Sequence, residues 1–375
     1  MPLSKIVANS IADDTITTDQ IADTSVHGRR NILINGAMEV NQRGTQTTST
    51  TTNNYFVDRF NVYIQATAVA SLSQSTDVPS GQGFSYSAKI DVTTANASPA
   101  AGDQAHFRQI LEGQDLQQLC YGTSSAKKLT LSFWVKSSKT GTHIIEFYNA
   151  ASAGAKQQSQ SYTISAADTW EHKTITIDGD TSSIIDNTTV TELYVQWVLQ
   201  AGSNYQSGTL NTSWNTPTTA NRYVGQVNFF DNTSNNMYVT GAQHEVGDKA
   251  TPFEHRSFGE ELALCQRYTW KLGGFGSDQY FGAPWLYFDG NNIHNGPFFN
   301  PVQMRAQPSM IQYGTPIIKD NGTAISGFSF SLQSSGKEQC FSIQGVKGGH
   351  GLANDPLNCL NSPSTSDYFI MDAEL

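Results

Sequence analysis

The sequence predicts an all-β protein built on a β-sandwich, and two observations carry the prediction. Only 14% of the 375 residues are charged, while Tyr and Phe number 15 and 19. This composition suits half-buried strands joined by polar turns. Apolar and polar residues also alternate through most of the chain, interrupted by clusters of turn residues, as in strands with one buried face.

The first 30 residues form a segment of a different kind. A branched aliphatic residue recurs there at every fifth position, and between these lie small polar residues: Ile6, Ile11, Ile16, Ile21 and Val26. This period matches neither a helix nor a strand. A lone chain cannot bury such a face, so we expect residues 1–30 to form an extended, intertwined trimeric shaft. The alternative is a disordered polar tail.

Residues 31–255 carry the alternation that predicts the sandwich. In the segment that begins at Leu129, one face is apolar and the other holds Trp134; the apolar set is Leu129, Leu131, Phe133 and Val135. A second segment places Tyr194 and Gln196 opposite another apolar set, which is Leu193, Val195, Trp197 and Leu199. Trp197 is therefore predicted to lie in the core.

Residues 256–273 give the clearest helix signal. Acidic residues open the segment after Phe258, apolar residues follow at near-helical spacing, and Gly273 ends it. Residues 274–375 are rich in aromatic residues, Gly and Pro, and are predicted to form a compact C-terminal β tip domain with long loops. The helix is expected to link the two domains.

Charge and apolar content exclude several classes of partner. The net charge is -10 with no long run of like charges, so nucleic acid is not an expected partner. No apolar stretch approaches the roughly 20 residues that span a bilayer, and the first residues lack an apolar signal region. We therefore expect synthesis in a cytoplasm and no membrane insertion. The four cysteines are predicted to be buried thiols, with a Cys340–Cys359 bridge as the alternative.

Several phrases resemble tail-fibre proteins of tailed bacteriophages, particularly those of environmental and marine phages. They lie in order along the chain: Arg30-Asn-Ile-Leu-Ile-Asn-Gly-Ala-Met-Glu-Val-Asn-Gln-Arg-Gly44, Asp58-Arg59-Phe60, Leu129 to Gly141, Tyr238 to Gly247, Ala250 to Tyr268 and Asn300 to Pro308. The opening Asn-Gly-x-Met-Glu and the closing Gly-x-Gln-x-Glu are also similar to jelly-roll carbohydrate-binding modules of secreted glycosidases. One departure is His244, where the pattern usually has an aliphatic residue.

The resemblance implies a jelly-roll sandwich in a homotrimeric fibre of the virion. Its N-terminus is expected to attach to other tail or capsid proteins, and its jelly roll to bind host surface polysaccharide. Two alternatives remain: a purely structural virion component, such as a head fibre, adaptor or decoration protein, and a polysaccharide depolymerase tailspike. The sequence lacks His-Glu-x-x-His, Gly-x-Ser-x-Gly and Walker-type motifs, so we do not expect an enzyme.

Glycan recognition usually uses an aromatic platform beside amides and carboxylates. The first candidate is Trp134, with Tyr148, Tyr194 and Gln196 on the same side if neighbouring strands are in register. The alternative is that a loop or another subunit covers this face. A second candidate lies in an aromatic zone of the tip domain, where the alternative is a trimer-interface core; its members are Tyr280, Trp285, Tyr287 and His294.

A single metal site follows from the likeness to jelly-roll modules, which often hold one structural calcium near their opening strand. Glu39 stands in that place, with several amides nearby. Calcium needs six to eight oxygen ligands, and the chain has no Asp-rich loop of the EF-hand type. No other cofactor is expected.

Overall fold

The computed structural model describes most of the chain beyond the N-terminal segment. The described residues are 29–48, 53–152, 154–274, 276, 279–280, 286–289, 292–320, 323–332, 339–347 and 359–375. The predicted shaft with its five-residue repeat, residues 1–30, therefore lies outside the described residues except for its last two positions.

Two six-stranded antiparallel sheets account for residues 46–246. The strands in chain order are β1 (Gln46–Thr47), β2 (Asn53–Tyr55), β3 (Phe60–Gln65), β4 (Val69–Ser75), β5 (Ser87–Thr94), β6 (Gln104–Glu112), β7 (Leu129–Ser137), β8 (Gly141–Asn149), β9 (Lys156–Ile164), β10 (Glu171–Ile177), β11 (Thr191–Ala201) and β12 (Asn236–Val246). Sheet A has the order β1-β4-β5-β12-β7-β10, and sheet B has the order β2-β3-β6-β11-β8-β9.

The apolar faces of the two sheets pack against each other around one aromatic centre. Trp197 is 0% exposed, and its ring lies 5.5 Å from that of Phe107 and 5.4 Å from that of Phe133. Both apolar sets predicted from alternation are buried in this core. The chain passes repeatedly from one sheet to the other, so the predicted all-β jelly-roll sandwich is confirmed.

The predicted helix is shorter than the segment 256–273. Helix α1 (Phe258–Gln266) begins with a capping box, in which Ser257 and Glu260 satisfy each other's backbone N–H groups. It ends at Gln266, and Thr269–Gly273 forms strand β13. Pairing of β13 in a sheet, together with burial of Trp270, overrides the near-helical spacing in this second half.

The C-terminal part contains three small antiparallel sheets. Its further strands are β14 (Gln279–Tyr280), β15 (Leu286–Asp289), β16 (Asn292–Phe299), β17 (Ser309–Tyr313), β18 (Ile317–Asp320), β19 (Thr323–Ile325), β20 (Ser329–Leu332), β21 (Cys340–Val346), β22 (Cys359–Ser362) and β23 (Tyr368–Asp372). Their orders are β13-β23-β17, β14-β22-β18-β19 and β15-β16-β21-β20. A second apolar core lies among them, so the smaller C-terminal β domain is confirmed.

A buried polar network joins the sandwich to the end of the chain. The guanidinium of Arg59 is fully buried, pairs with the Glu374 carboxylate and stacks over the Tyr268 ring at 3.4 Å. Arg43 pairs with Asp372 at 3.1 Å and with Glu374 at 3.4 Å. Arg43, Arg59 and Tyr268 thus connect the sandwich with the last residues of the chain.

Three cysteines are described as free thiols. Cys265 is buried and burial raises its pKa, whereas Cys120 is exposed, so the prediction of buried thiols is wrong for Cys120. Cys120 ends a short 3-10 helical segment at the surface, which explains its exposure. Cys340 is also free, so it forms no bridge with Cys359. No helix among the described residues is long and apolar enough to cross a membrane.

Candidate functional site

The outer face of sheet B carries a cleft of about 310 Å³, named here the sheet B cleft. Strands β3, β6, β11 and β8 lie side by side, and their outward-facing residues alternate with core residues. The cleft is lined by Tyr63, Gln104, His106, Arg108, Tyr148, Tyr194, Gln196 and Arg222. Aromatic rings, amides and two guanidinium groups thus face one shared volume.

A row of polar residues crosses the middle of this face. Strand register places Asn61, Arg108, Gln196 and Glu146 directly beside one another. Arg108 donates to the Asn61 amide oxygen at 3.2 Å and to the Gln196 amide oxygen at 3.1 Å. Gln196 in turn donates from Nε2 to the Glu146 carboxylate at 2.7 Å. These bonds fix the orientation of the Arg108 and Gln196 side chains.

Arg222 reaches the same row from a loop. It follows the short 3-10 turn Thr219–Asn221 and donates from Nε and Nη2 to the two oxygens of Glu146, both at 2.7 Å. Tyr223 adds a third group, donating its hydroxyl to Glu146 at 3.1 Å. The Glu146 side chain is fully buried, so its charge is neutralised within the protein.

Aromatic rings flank the polar row on both sides. The rings of Tyr148 and Tyr194 meet edge to face at 5.9 Å, and the ring of Tyr63 stacks on that of His106 at the same separation. The Arg108 guanidinium lies 4.8 Å from the centre of the Tyr63 ring and 5.3 Å from that of Tyr194. Half-buried Tyr rings beside fixed donors are the elements that pack on sugar faces and bind hydroxyls.

His106 is a neutral member of the cleft. It is buried, neither ring nitrogen has a hydrogen-bond partner, and the ring lies between those of Tyr63 and Tyr223. Burial holds the pKa of His106 well below its usual value, and Arg108 and Arg222 lower that pKa further. The imidazole therefore contributes surface and dipole, without charge.

The structure brings together three of the predicted site residues, Tyr148, Tyr194 and Gln196. Trp134 does not join them, because β7 belongs to sheet A while β8 and β11 belong to sheet B. The outward faces of these strands lie on opposite surfaces of the sandwich. The expectation that Trp134 shares a side with the other three is therefore wrong, since β7 and β8 are neighbours in sequence but not in one sheet.

Trp134 lines a separate cleft of about 670 Å³ on the outer face of sheet A. Its ring lies 5.1 Å from that of His172, to which it is directly opposite in register. Ser132 and Gly241 of the same sheet also line the cleft, and residues from two loops, including Phe84 and Phe253, complete its wall. Trp134 is half-buried rather than covered, so this sheet A cleft is a second candidate surface.

The candidates in the C-terminal domain are tested only in part. Trp285 lies outside the described residues. Tyr280, Tyr287 and His294 lie on strands β14, β15 and β16, where Tyr287 and His294 are partners in register. Their side chains are not described, so their proposed role stays a prediction.

Glu39 does not gather a set of metal ligands in the structure. It lines a cleft with the amide residues Asn41 and Gln42 and with Lys271. Among the described residues, no group of three or more His, Cys, Asp or Glu side chains is placed to hold a metal. Calcium can also take backbone and amide oxygens as ligands, so the calcium site at Glu39 stays a prediction.

Sequence reasoning did not single out Tyr63, His106, Arg108 or Arg222. The sequence does contain a signal for the first three, because they occupy the polar positions of two strands in which every second residue is apolar. Arg222 gives no comparable signal, since it lies in a loop and reaches Glu146 across 76 positions of the chain. Only the folded structure brings it to the cleft.

No protein-family model matches the sequence, and no curated protein matches it either. Solved structures that resemble the chain include the enzymatically active domain of Bacteriophage CBA120 tailspike protein 4, at 14% identity and a TM-score of 0.31, covering 58% of this chain and 21% of that one. Two carbohydrate-binding modules of Clostridium thermocellum are also similar. The family 11 module of a cellulosomal cellulase has 10% identity, a TM-score of 0.28, and coverage of 55% and 97%. The C-terminal family 22 module of Xyn10B has 13% identity, a TM-score of 0.28, and coverage of 54% and 100%.

Proposed function

We propose that this chain is a structural and adhesive fibre of a tailed phage virion, and that it binds host surface glycan in the sheet B cleft without cleaving it. The observation that carries the proposal is the cleft itself, in which Tyr63, Tyr148 and Tyr194 surround the fixed donors of Arg108 and Gln196. Aromatic faces next to fixed polar groups are how pockets commonly orient a ligand.

The composition of the cleft favours binding over catalysis. Glycoside cleavage commonly uses two carboxylates about 5 to 10 Å apart. Among the described residues, no Asp or Glu lines this cleft, and both oxygens of the buried Glu146 in the adjoining polar row accept hydrogen bonds from Arg222. A carboxylate held in this way is unsuited to serve as a general acid or a nucleophile.

The proposal is tested by incubating the purified full chain with host cells and with a panel of their surface polysaccharides. We expect binding of at least one polysaccharide with no shortening of its chains. Tyr194→Ala is expected to lower the affinity roughly 30-fold, as for an aromatic residue at the centre of a binding site.

The matched control is Trp134→Ala, which removes an aromatic ring from the opposite face and is expected to leave affinity unchanged. Loss of binding in Trp134→Ala but not in Tyr194→Ala would move the site to the sheet A cleft. Absence of any binding would favour a purely structural virion component, and shortened glycan would favour a depolymerase.

Assembly as a homotrimer is part of the proposal, because three weak sites on one particle raise apparent affinity through high effective concentration. We expect the mass of the full chain in solution to be that of a trimer. A chain shortened to begin at Arg29 is expected to lose trimerisation and to bind cells more weakly. Equal cell binding by the monomeric and trimeric forms would contradict this part of the proposal.

A further inference from the structure

Arg108 is a cation without an acidic partner in the sheet B cleft. Its Nε, Nη1 and Nη2 donate to amide oxygens of Asn61, Gln196 and Asn53, at 3.2, 3.1 and 2.7 Å. All three acceptors are neutral, and no carboxylate of the described residues pairs with this guanidinium. Arg222, in the same cleft, instead pairs with Glu146 through two hydrogen bonds.

The charges of the cleft therefore do not cancel. Glu146 neutralises Arg222, and His106 is uncharged because burial and the two arginines hold its pKa well below the usual range. Burial also lowers the pKa of Arg108, although the pKa of an arginine remains far above neutrality. One positive charge remains in a half-buried position, in a chain whose net charge is -10.

The donors of Arg108 are matched to a planar anion. A guanidinium carries five N–H groups, and the three amides occupy one each on Nε, Nη1 and Nη2. One N–H on Nη1 and one on Nη2 are thus left without an acceptor among the described residues, and free N–H groups on both Nη atoms can bind the two oxygens of a carboxylate. The rings of Tyr63 and Tyr194 lie within 5.3 Å of this guanidinium. A sugar ring packed on either Tyr would bring a substituent next to Arg108.

We infer that the sheet B cleft selects acidic glycans, binding the carboxylate of a hexuronate residue through Arg108 while Tyr63 or Tyr194 packs against its sugar ring. The inference rests on the proposed glycan binding at this cleft and specifies its ligand class. Gln196 supports the selection in two ways. Its amide oxygen accepts from the Arg108 guanidinium, and its Nε2 donates to the Glu146 carboxylate, so that this negative charge is already hydrogen-bonded within the protein.

The test compares polysaccharides that differ only in charge. Polygalacturonate, polyglucuronate and alginate are each measured by calorimetry against their carboxyl-reduced forms, in which the carboxylate becomes a primary alcohol and the ring is kept. We expect the full chain to bind at least one acidic form at least about tenfold more tightly than its reduced form. The acidic form should also lose affinity as NaCl is added, while the reduced form should not.

Two variants locate the effect at Arg108. Arg108→Gln is expected to reduce the preference for the acidic form to less than about threefold, and Arg108→Lys is expected to keep part of it, because the charge remains and the fork is lost. The control is Arg29→Gln, which removes the same charge from an exposed side chain that lies 3.7 Å from Asp115. It should leave the preference unchanged.

The outcomes separate this inference from the proposed function. Equal affinity for acidic and reduced forms, or binding confined to neutral glycans of the host panel, would overturn the acidic preference while keeping glycan binding. Preference retained in Arg108→Gln would overturn the assignment to Arg108. Binding of dextran sulfate over dextran, with no response to the uronates, would replace the carboxylate by a sulfate ester. Absence of binding to every glycan would overturn both proposals.

Discussion

Replacing Glu146 by glutamine removes the one buried negative charge on which the sheet B cleft is organised. Four hydrogen bonds end on this carboxylate, two from Arg222 and one each from Gln196 and Tyr223. Glutamine keeps the shape but offers one acceptor oxygen and places an N–H group where donors converge. The Arg222 guanidinium, with a side chain only 18% exposed, would lose its counter-charge.

Breaking a buried ion pair by removing one partner typically costs about 3–5 kcal/mol. Because glutamine retains one acceptor, we expect Glu146→Gln to lower the free energy of unfolding by about 3 kcal/mol. Urea unfolding followed by tryptophan fluorescence measures this loss, since Trp197 lies in the core of the same sandwich. Under conditions where the variant stays folded, its glycan affinity should also fall, because Gln196 and Arg222 are no longer held.

The control for this substitution is Asp178→Asn. Its ion pair with Lys128 is exposed, with side-chain exposures of 80% and 57%, so no measurable change in unfolding is expected. A loss below about 1 kcal/mol in Glu146→Gln would refute the reasoning, because it would mean that charge pairing does not hold Arg222 in the cleft.

His244→Leu should raise the free energy of unfolding relative to wild type, and this gain should grow as pH falls. The His244 ring is buried on Phe147 without a well-aligned hydrogen bond, and burial lowers the pKa of His244 to about 3. The unfolded chain takes up the proton near pH 6.5 and the folded one does not, so between pH 8 and pH 5 the variant should gain about 2 kcal/mol relative to wild type in urea unfolding; a constant difference would contradict this. Glu374→Gln should cost about 3–5 kcal/mol by leaving the buried Arg59 and Arg43 guanidinium groups short of a carboxylate. Limited proteolysis should then release the C-terminal domain from the sandwich. An unchanged digestion pattern would contradict the role of these ion pairs in holding the C-terminal domain to the sandwich.

Alternation along a strand predicted which face each residue occupies, but it carried no information on strand partners. Trp197 and its neighbours in the core followed directly from a period of two residues. The error over Trp134 arose because partner choice depends on contacts far apart in sequence: β7 pairs with β10 and β12, whereas β8 pairs with β9 and β11. The face that a residue occupies follows from the local sequence, whereas the sheet to which its strand belongs depends on contacts with distant strands.

The same limit explains the end of the helix and the missed arginines. Residues 258–266 form a helix because a local capping box starts it, and this signal is readable in the sequence. The strand that follows depends on β23, about 100 positions further along the chain, which no local window includes. Arg108 required the positions of Asn61 and Gln196 on its two neighbouring strands before its lack of an acidic partner became visible.

The segments that carry the resemblance, called phrases above, and the sheet B cleft occupy different parts of the molecule. Residues 30–44 and 250–268 form contacts with each other across a long separation in sequence: Glu261 accepts from the Asn35 backbone N–H, and Glu254 accepts from that of Asn31. Such residues are fixed by packing, whatever the protein binds. None of the cleft-lining residues belongs to a phrase. Because the cleft-lining residues lie outside the segments that these contacts hold together, we expect ligand choice to depend on the outward positions of β3, β6, β8 and β11 and on the loop that carries Arg222.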